Sequence, residues 1–263
     1  ERLGRAPHHE EEQPGAGGLV AKLWAKTQVG ALRGLETFSQ LVTYDYRQHG
    51  YVIQHAPWLI IDAPRFQHRE LLVDSSRHFL PLPTLKAVIA SLPYAKVNVL
   101  HWHIVDDQSF PLDTLSDPLL SERGAYSDDE RYTMDDVYEI IDWARLHGVR
   151  VLPEIDIPGH ASSWCHGYPE VCPAKECPTP LSPIMPTRLT PSEKDLTFEL
   201  LGRLFDDVTA TFSDSFLHLG HDEVDCLCWQ KTPRVQKWLA DNGNLTTADA
   251  LRTFLLRAQD MAA

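Results

Sequence analysis

The chain has 263 residues, of which 43% are hydrophobic and 23% are charged, a composition typical of globular proteins. No apolar run reaches the 18 residues that indicate a transmembrane helix, so the sequence predicts no membrane partner. The formal net charge of -13 argues against binding to nucleic acid and is compatible with a neutral or cationic ligand.

The N-terminal part of the chain predicts no complete domain. Residues 1–18 are polar and rich in Gly and Pro, which is typical of a flexible lead-in. Residues 19–66 contain a predicted helix over Ala31–Leu41 and one or two strands within Gly50–Ile61. We interpret them as the C-terminal part of a small N-terminal α+β domain with its linker.

From residue 67 onward, strand and helix patterns alternate. The predicted strands are Arg69–Asp74, Lys96–Ile104, Val149–Ile157 and Phe216–Leu219. The predicted helices are Leu82–Ala95, Met134–His147 (ended by Gly148), Ser192–Phe212 (with an N-cap pattern at Ser192 and Asp195), Arg234–Ala240 and Thr247–Ala262. Nearly continuous apolar strands joined by helices predict an α/β fold with a parallel sheet.

Two α/β architectures compete, the doubly wound sheet and the (β/α)8 TIM barrel. No Gly-rich phosphate loop follows the first strand, which weakens the dinucleotide-binding interpretation. Polar, chemically active side chains follow every predicted strand instead, and this is the arrangement of a TIM barrel. Residues 67–263 supply about four units, so we interpret them as the first half of the barrel, and the helical pattern broken off at Ala263 predicts truncation. Half a barrel leaves sheet edges uncovered, so we expect it to be inactive and prone to aggregation alone.

The adjacent carboxylates Asp222 and Glu223 follow the fourth predicted strand. Burying two carboxylates is costly unless they have a partner or a task. Repulsion between them favours the protonated form of one, which is how a carboxyl group acts as a general acid. A solvated turn is the alternative, but the polar groups at the other strand ends favour a catalytic site.

Other strand ends carry histidines, a carboxylate and an arginine with more than one interpretation. His101 and His103 with Asp106 could form a zinc site, a buried hydrogen-bonded pair or a sugar site, and spacing alone leaves these open. His160 follows the turn Pro158-Gly159 and is either a core histidine or a site residue oriented by Asp156. Arg77 is a surface charge, a counter-ion of the carboxylates or a ligand of sugar hydroxyls.

Five cysteines lie in two groups, namely Cys165, Cys172 and Cys177, and then Cys226 and Cys228. A zinc site is one interpretation, but a disulfide between the groups, formed in an oxidising compartment, is favoured. The odd count leaves one thiol free or paired elsewhere. Asn244-Leu245-Thr246 is a glycosylation sequon, which fits the secretory route.

Taken together, the motifs resemble the family 20 β-N-acetylhexosaminidases, a family of glycoside hydrolases. The matching segments are GLETFSQL (34–41), PRFQHRELLVDSSRHFLP (64–81), NVLHWHIVDDQSFP (98–111), GVRVLPEIDIPGHASSW (148–164) and FLHLGHDEVDCLCW (216–229). The resemblance covers about residues 32–263. The segments KTPRVQKWL and GYPEVCPAKEC look closest to the plant-like and algal-like eukaryotic branch.

The resemblance implies hydrolysis of terminal N-acetylhexosamines from glycans or chitooligosaccharides, with retention through the substrate's own acetamido oxygen. By the same resemblance, Glu223 is the general acid and then the base, and Asp222 holds the acetamido group. Arg77 would bind the sugar's outer hydroxyls, while Asp106 and His160 would support binding and orient the carboxylates. No metal or cofactor is implied.

The resemblance further implies a disulfide between Cys177 and Cys228, a lysosomal, vacuolar or extracellular location, and allows a homodimer in the full-length protein. His221 is a departure, because the family usually has Gly before Asp-Glu. This departure motivates one rival hypothesis, a non-catalytic sugar-binding relative. The second rival is a metal-dependent barrel hydrolase that uses His101 and His103.

Overall fold

The computed structural model describes residues 21–263, so the predicted lead-in over 1–18 lies outside the described residues. The chain divides into two compact units, of which the first ends at Ala56 and the second is Pro57–Ala263. This division falls ahead of the predicted boundary at residue 66. None of the helices within 21–263 is long and apolar enough to span a bilayer.

The first unit contains a helix and a hairpin. Helix α1 (Gln28–Leu41) confirms the predicted helix, and the antiparallel strands β1 (Val42–Asp45) and β2 (Gly50–Ile53) follow it. The strand prediction for Gly50–Ile61 is wrong beyond Ile53. The reason is a turn there, in which His55 adopts the left-handed backbone conformation at φ 60°.

The second unit confirms the predicted α/β class with a parallel sheet. Its strands are β3 (Glu70–Asp74), β4 (Val99–Val105) and β5 (Arg150–Ile155), which are parallel in the order β3-β4-β5. Its helices are α2 (Leu82–Ser91), α3 (Leu119–Gly124), α4 (Met134–Leu146), α5 (Trp164–Gly167), α6 (Leu196–Thr211), α7 (Leu227–Lys231), α8 (Pro233–Asp241) and α9 (Thr247–Ala262).

Strand β4 forms the centre of this sheet, and all seven of its residues are buried. Its register places His103 between Asp74 of β3 and Glu154 of β5. Because parallel strands end at the same edge of a sheet, the loops after β3, β4 and β5 meet there. This edge collects the polar residues that the sequence places after each strand.

The predicted fourth strand, Phe216–Leu219, forms only a short bridge to β5. The N–H of His218 donates to the carbonyl of Pro153 at 3.0 Å, and the N–H of Ile155 donates back to His218 at 2.9 Å. The segment therefore lies beside β5. It ends early because Gly220 turns the chain away with φ 64°.

Two helix predictions need correction. The predicted helix Leu82–Ala95 ends at Ser91 and continues as a 3₁₀ turn, because Pro93 has no N–H for an α-helical hydrogen bond. Ser192 does not cap α6, which begins at Leu196. Asp195 occupies the cap position, but its carboxylate binds Arg257 of α9 at 3.0 Å and makes no cap bond.

The cysteines form two disulfides, and the zinc interpretation of them is wrong. Cys177–Cys228 confirms the predicted bridge between the two groups, and Cys165–Cys172 forms a second bridge within the first group. Cys226 is the free thiol. The Cys177–Cys228 bridge ties the long segment that follows β5 to α7.

The two disulfides should differ in their contribution to stability. Cys177 and Cys228 are 51 positions apart, against 7 for Cys165 and Cys172, and a longer loop loses more entropy when it is closed in the unfolded chain. We expect replacing Cys177 and Cys228 by Ala to lower the free energy of unfolding by about 4 kcal/mol. Replacing Cys165 and Cys172 by Ala should lower it by about 2.5 kcal/mol. Denaturant titration of the two double variants checks this order, and equal or reversed losses would contradict it.

Candidate active site

The end of β3 holds Arg77 in one orientation. The carboxylate of Asp74 accepts hydrogen bonds from the backbone N–H groups of Ser76 and Arg77, both at 3.0 Å, which makes a tight turn. The same carboxylate binds the Arg77 side chain, with Nη1 2.9 Å from Oδ2. The turn therefore returns the guanidinium over the end of its own strand.

Asp106 follows β4 and is fully buried. Its Oδ2 lies 2.7 Å from Arg77 Nη2 and 2.7 Å from His103 Nε2, and its Oδ1 accepts the N–H of Asp107. Burial alone would favour the neutral acid, but the hydrogen bond from His103 and the charge of Arg77 lower the pKa of Asp106. Asp106 is therefore a carboxylate shared by groups from β3 and β4.

His160 joins the end of β5 to this carboxylate. Its Nδ1 is 3.3 Å from Asp106, and its Nε2 is 3.6 Å from Glu223, 3.7 Å from Asp222 and 3.9 Å from Asp156. Burial opposes the charge on the ring, but the charges of Asp156 and Asp106 outweigh it and raise the pKa of His160. The ring therefore lies between one buried carboxylate and the exposed catalytic candidates.

The loop after the fourth segment approaches the end of β5 closely. A Cβ on Gly220 would lie 1.9 Å from Asp156 Oδ1, so only glycine fits there. On the other side, a Cβ on Gly159 would lie 3.4 Å from the Asp222 carbonyl oxygen. The side chains of Asp222 and Glu223 are 67% and 78% exposed, so a ligand can reach both.

Asp156 is a buried acid beside this loop. Burial and the neighbouring Asp222 together raise the pKa of Asp156 to about 7, although the N–H bond from His221 and the charge of His160 oppose them. Asp156 therefore exchanges its proton near neutral pH, next to a catalytic candidate. Such a perturbed group in a cleft is typical of a functional site.

Behind the site lies a chain of alternating histidines and carboxylates, which is buried apart from the exposed His218. Glu154 Oε2 is 2.7 Å from His101 Nε2 and 2.8 Å from His103 Nδ1, and its Oε1 is 3.1 Å from His218 Nδ1. Burial works against the charges of Glu154, His101 and His103, but the hydrogen bonds between them prevail. They lower the pKa of Glu154 and raise the pKa of His103 to about 10.

This chain of contacts bears on the metal hypothesis. Both ring nitrogens of His103 face carboxylates, and so do those of His101, whose Nδ1 is 3.2 Å from Glu70. A ring that donates from both nitrogens is protonated and has no lone pair for a metal. The geometry therefore favours ion pairs over the metal site predicted as an alternative for His101 and His103.

All five candidate residues of the strand ends come together: Arg77, Asp106, His160, Asp222 and Glu223. Asn244 lies elsewhere, ahead of α9. Sequence reasoning missed the supporting role of Glu154. Strand alternation places His101 and His103 on one face, and strand register would have placed Glu154 opposite them.

A family model described as "Glycosyl hydrolase family 20, catalytic domain" matches residues 66–263. The chain belongs to glycosyl hydrolase family 20. This family 20 chain is 48% identical over 242 residues to "Beta-hexosaminidase 3" of Arabidopsis thaliana, covering 92% of this chain and 43% of that protein. It is 42% identical over 243 residues to "Beta-hexosaminidase subunit beta" of Homo sapiens, covering 90% and 42%. The higher identity to the Arabidopsis protein agrees with the predicted plant-like branch.

A solved structure supports the same relationship. The family 20 chain superposes on the chitobiase of Flavobacterium johnsoniae with a TM-score of 0.73 and 32% identity, covering 89% of this chain and 35% of that one. The chain thus spans less than half the length of the relatives that it matches.

We expect Glu154→Gln to lower the free energy of unfolding by roughly 3 kcal/mol, because it leaves buried charge poorly paired. Because the pKa of His103 is raised, the stabilisation that its charged ring gives the folded state is complete below pH 6.5 and is lost as the pH rises toward about 10. Because the pKa of Glu154 is lowered, the stabilisation that its carboxylate gives the folded state is complete above pH 4.5 and is lost in acid. The difference between wild type and variant should therefore be largest between pH 4.5 and 6.5.

Denaturant titration across pH measures this difference. Glu122→Gln, which removes an exposed carboxylate on α3, is the matched control and should cost little at any pH. A loss from Glu154→Gln that is no larger than the control's, or that grows above pH 6.5, would show that the buried pair does not work in this way.

Proposed function

We propose that this chain carries the acid site of a β-N-acetylhexosaminidase, which removes terminal N-acetylhexosamines from glycans or chitooligosaccharides. We also propose that residues 67–263 are the first four units of an eight-fold barrel. The observation that supports the proposal best is the group formed by Asp106, His160 and Glu223. A buried carboxylate holds the imidazole at 3.3 Å, and the ring lies 3.6 Å from the exposed carboxyl group.

In the proposed reaction, Glu223 gives its proton to the glycosidic oxygen as the bond from that oxygen to C1 breaks. The acetamido oxygen of the same sugar forms a bond to C1 and gives a cyclic oxazolinium ion. Water then attacks C1, Glu223 takes the proton of the water, and the acetamide is restored. Intramolecular attack gains from proximity, so no protein nucleophile is needed.

Asp222 has a different task from its neighbour in this proposal. Its carboxylate accepts the acetamido N–H and balances the positive charge that develops on the ring. Arg77 keeps donors free of its two carboxylate partners, since a guanidinium has five N–H groups, and these would bind the outer hydroxyls. Asp106 and His160 orient the carboxylates, as the contacts above support.

Activity of the complete protein on a chromogenic N-acetylglucosaminide tests the proposal. We expect Glu223→Gln to lower kcat by about 100-fold to 10,000-fold because proton transfer is lost. Asp222→Asn should lower it by about 100-fold because charge stabilisation is lost. Glu122→Gln, an exposed carboxylate on α3, should behave as wild type.

Other outcomes point to the rival hypotheses. Wild-type protein that binds the sugar without turnover at any pH would identify a sugar-binding relative and overturn the proposal. Activity that is lost on chelation and restored by a metal would favour the metal-dependent hydrolase. Turnover that survives chelation and fails in Glu223→Gln supports the hexosaminidase.

We further propose a secretory route to the lysosome, vacuole or extracellular space, with a homodimer as one assembly of the full-length protein. The two disulfides support an oxidising compartment. Asn244 is exposed ahead of α9, where a glycan would meet solvent, although the Thr246 hydroxyl of its sequon also caps that helix.

Glycosylation at Asn244 has a direct test. Protein produced in a eukaryotic secretory host should shift in mobility when its N-glycans are removed enzymatically. The shift attributable to this chain should be absent in Asn244→Gln. The neighbouring Asn242 makes a poor control, because its side chain is buried against Thr190. Gln48→Asn, which replaces an exposed residue and creates no sequon, should keep the shift, and an unchanged shift in Asn244→Gln would refute the site.

A further inference from the structure

His221 lies directly before the catalytic candidates, where the family usually has Gly, and its backbone explains why Gly is usual. It adopts the left-handed conformation with φ 76°, between Gly220 at 64° and Glu223 at 48°. Side chains rarely adopt this conformation, although His tolerates it better than most residues. A non-glycine residue in such a position points to surrounding contacts that hold it there.

Two hydrogen bonds hold His221 against the end of β5. Its backbone N–H donates to Asp156 Oδ1 at 3.0 Å, and its ring Nδ1 lies 2.6 Å from the carbonyl oxygen of Ile157. A carbonyl oxygen can only accept, so Nδ1 carries a hydrogen and donates it. The backbone bond is available to any residue at this position, but the ring bond is available only to a side chain with a donor.

The other ring nitrogen, Nε2, is buried and has no hydrogen-bond partner within residues 21–263. In the neutral ring, Nε2 is an acceptor, and leaving it unpaired is a modest cost. In the charged ring, Nε2 would be a buried donor on a cation, which is far more costly. Burial accordingly lowers the pKa of His221 and outweighs the hydrogen bond to the Ile157 carbonyl, which favours the charged ring, and the nearby charge of His218 adds to the lowering.

The charged groups near His221 come from two elements. Asp156, which follows β5, accepts its backbone N–H, and His218, in its own segment, acts electrostatically on its ring. Asp222 and Glu223 follow it in the chain and face His160. None of the carboxylates among them accepts a hydrogen bond from His221 Nε2. A proton added to Nε2 therefore finds no hydrogen-bond acceptor in this position. We expect the charged ring to leave this position for solvent.

We propose that the His221 ring is a positioning residue, whose bond to the Ile157 carbonyl fixes the loop of Asp222 and Glu223 to β5 and is released in acid. This inference rests on the proposed hexosaminidase function. The bond from the His221 ring gives the loop a specific contact in place of the conformational freedom that Gly would give. The placement of the catalytic carboxylates then depends on the protonation of a third side chain.

Two substitutions at this position separate the ring bond from the backbone conformation. His221→Gly keeps the left-handed backbone without strain and loses the ring bond. His221→Asn also tolerates the left-handed backbone, and its amide can donate to Ile157 without titrating. An exposed histidine on α5, His166, gives the matched control His166→Asn.

We expect His221→Gly to lower kcat of the complete protein by roughly tenfold, because small displacements of catalytic groups are costly. His221→Asn should restore kcat toward the wild-type value and extend the acid limb of the kcat profile to lower pH than in wild type. His166→Asn should leave both unchanged. A Gly variant with wild-type kcat, or an Asn variant with an unshifted acid limb, would overturn the proposal.

An NMR titration of the His221 ring nitrogens keeps this test independent of the proposed function. It should show a hydrogen on Nδ1 of the neutral ring and a pKa below the usual value for histidine. A hydrogen on Nε2, or a pKa at or above the usual value, would contradict the inference even in an active enzyme. An absence of turnover in wild type would instead contradict the proposed function and leave the NMR result to decide on the ring.

Discussion

The site depends on one buried carboxylate, that of Asp106. It is fully buried, and a lone charge in such a place would be strongly unfavourable. Arg77 from the end of β3, His103 from β4 and His160 from beyond β5 all face it, at 2.7, 2.7 and 3.3 Å. Since each partner comes from a different strand, satisfying this one charge brings three loops into register. The position of the imidazole next to Glu223 follows from that requirement.

The polar chain beneath Asp106 is held together by the same need to pair buried charge. His103 gives its second nitrogen to Glu154, which is shared with His101 and His218. Each buried charge in this chain has a neighbour of opposite sign, so the cost of burial is offset only while the chain stays complete. Because breaking one of its pairs would leave buried charge uncompensated, the chain disfavours other arrangements of the strand ends. That suits a site in which small displacements matter.

Much of this arrangement could be predicted from the sequence, and the exceptions share a cause. Strands β3, β4 and β5 were predictable because their apolar runs are local patterns that end in polar residues. The absence of the cap predicted at Ser192 and Asp195 could not be predicted, because the Asp195 carboxylate binds Arg257, a partner 62 positions away. The role of Glu154 likewise depends on strand register, and the turn at His55 on a backbone conformation that the sequence does not specify. Local patterns therefore predicted elements and strand ends, while long-range partners decided how they are used.

The division between buried and exposed groups fits the chemistry proposed for the site. Asp106 and Glu154 are buried and keep their charges through fixed partners, so they hold geometry and do not exchange protons with a ligand. Asp222 and Glu223 remain exposed, which leaves them accessible to the proposed sugar substrate. Two adjacent carboxylates in such a loop resemble an acid and nucleophile pair. In the proposed reaction the acetamido oxygen is the nucleophile, so the pair would instead supply one proton donor and one fixed negative charge, and the same adjacency suits that purpose.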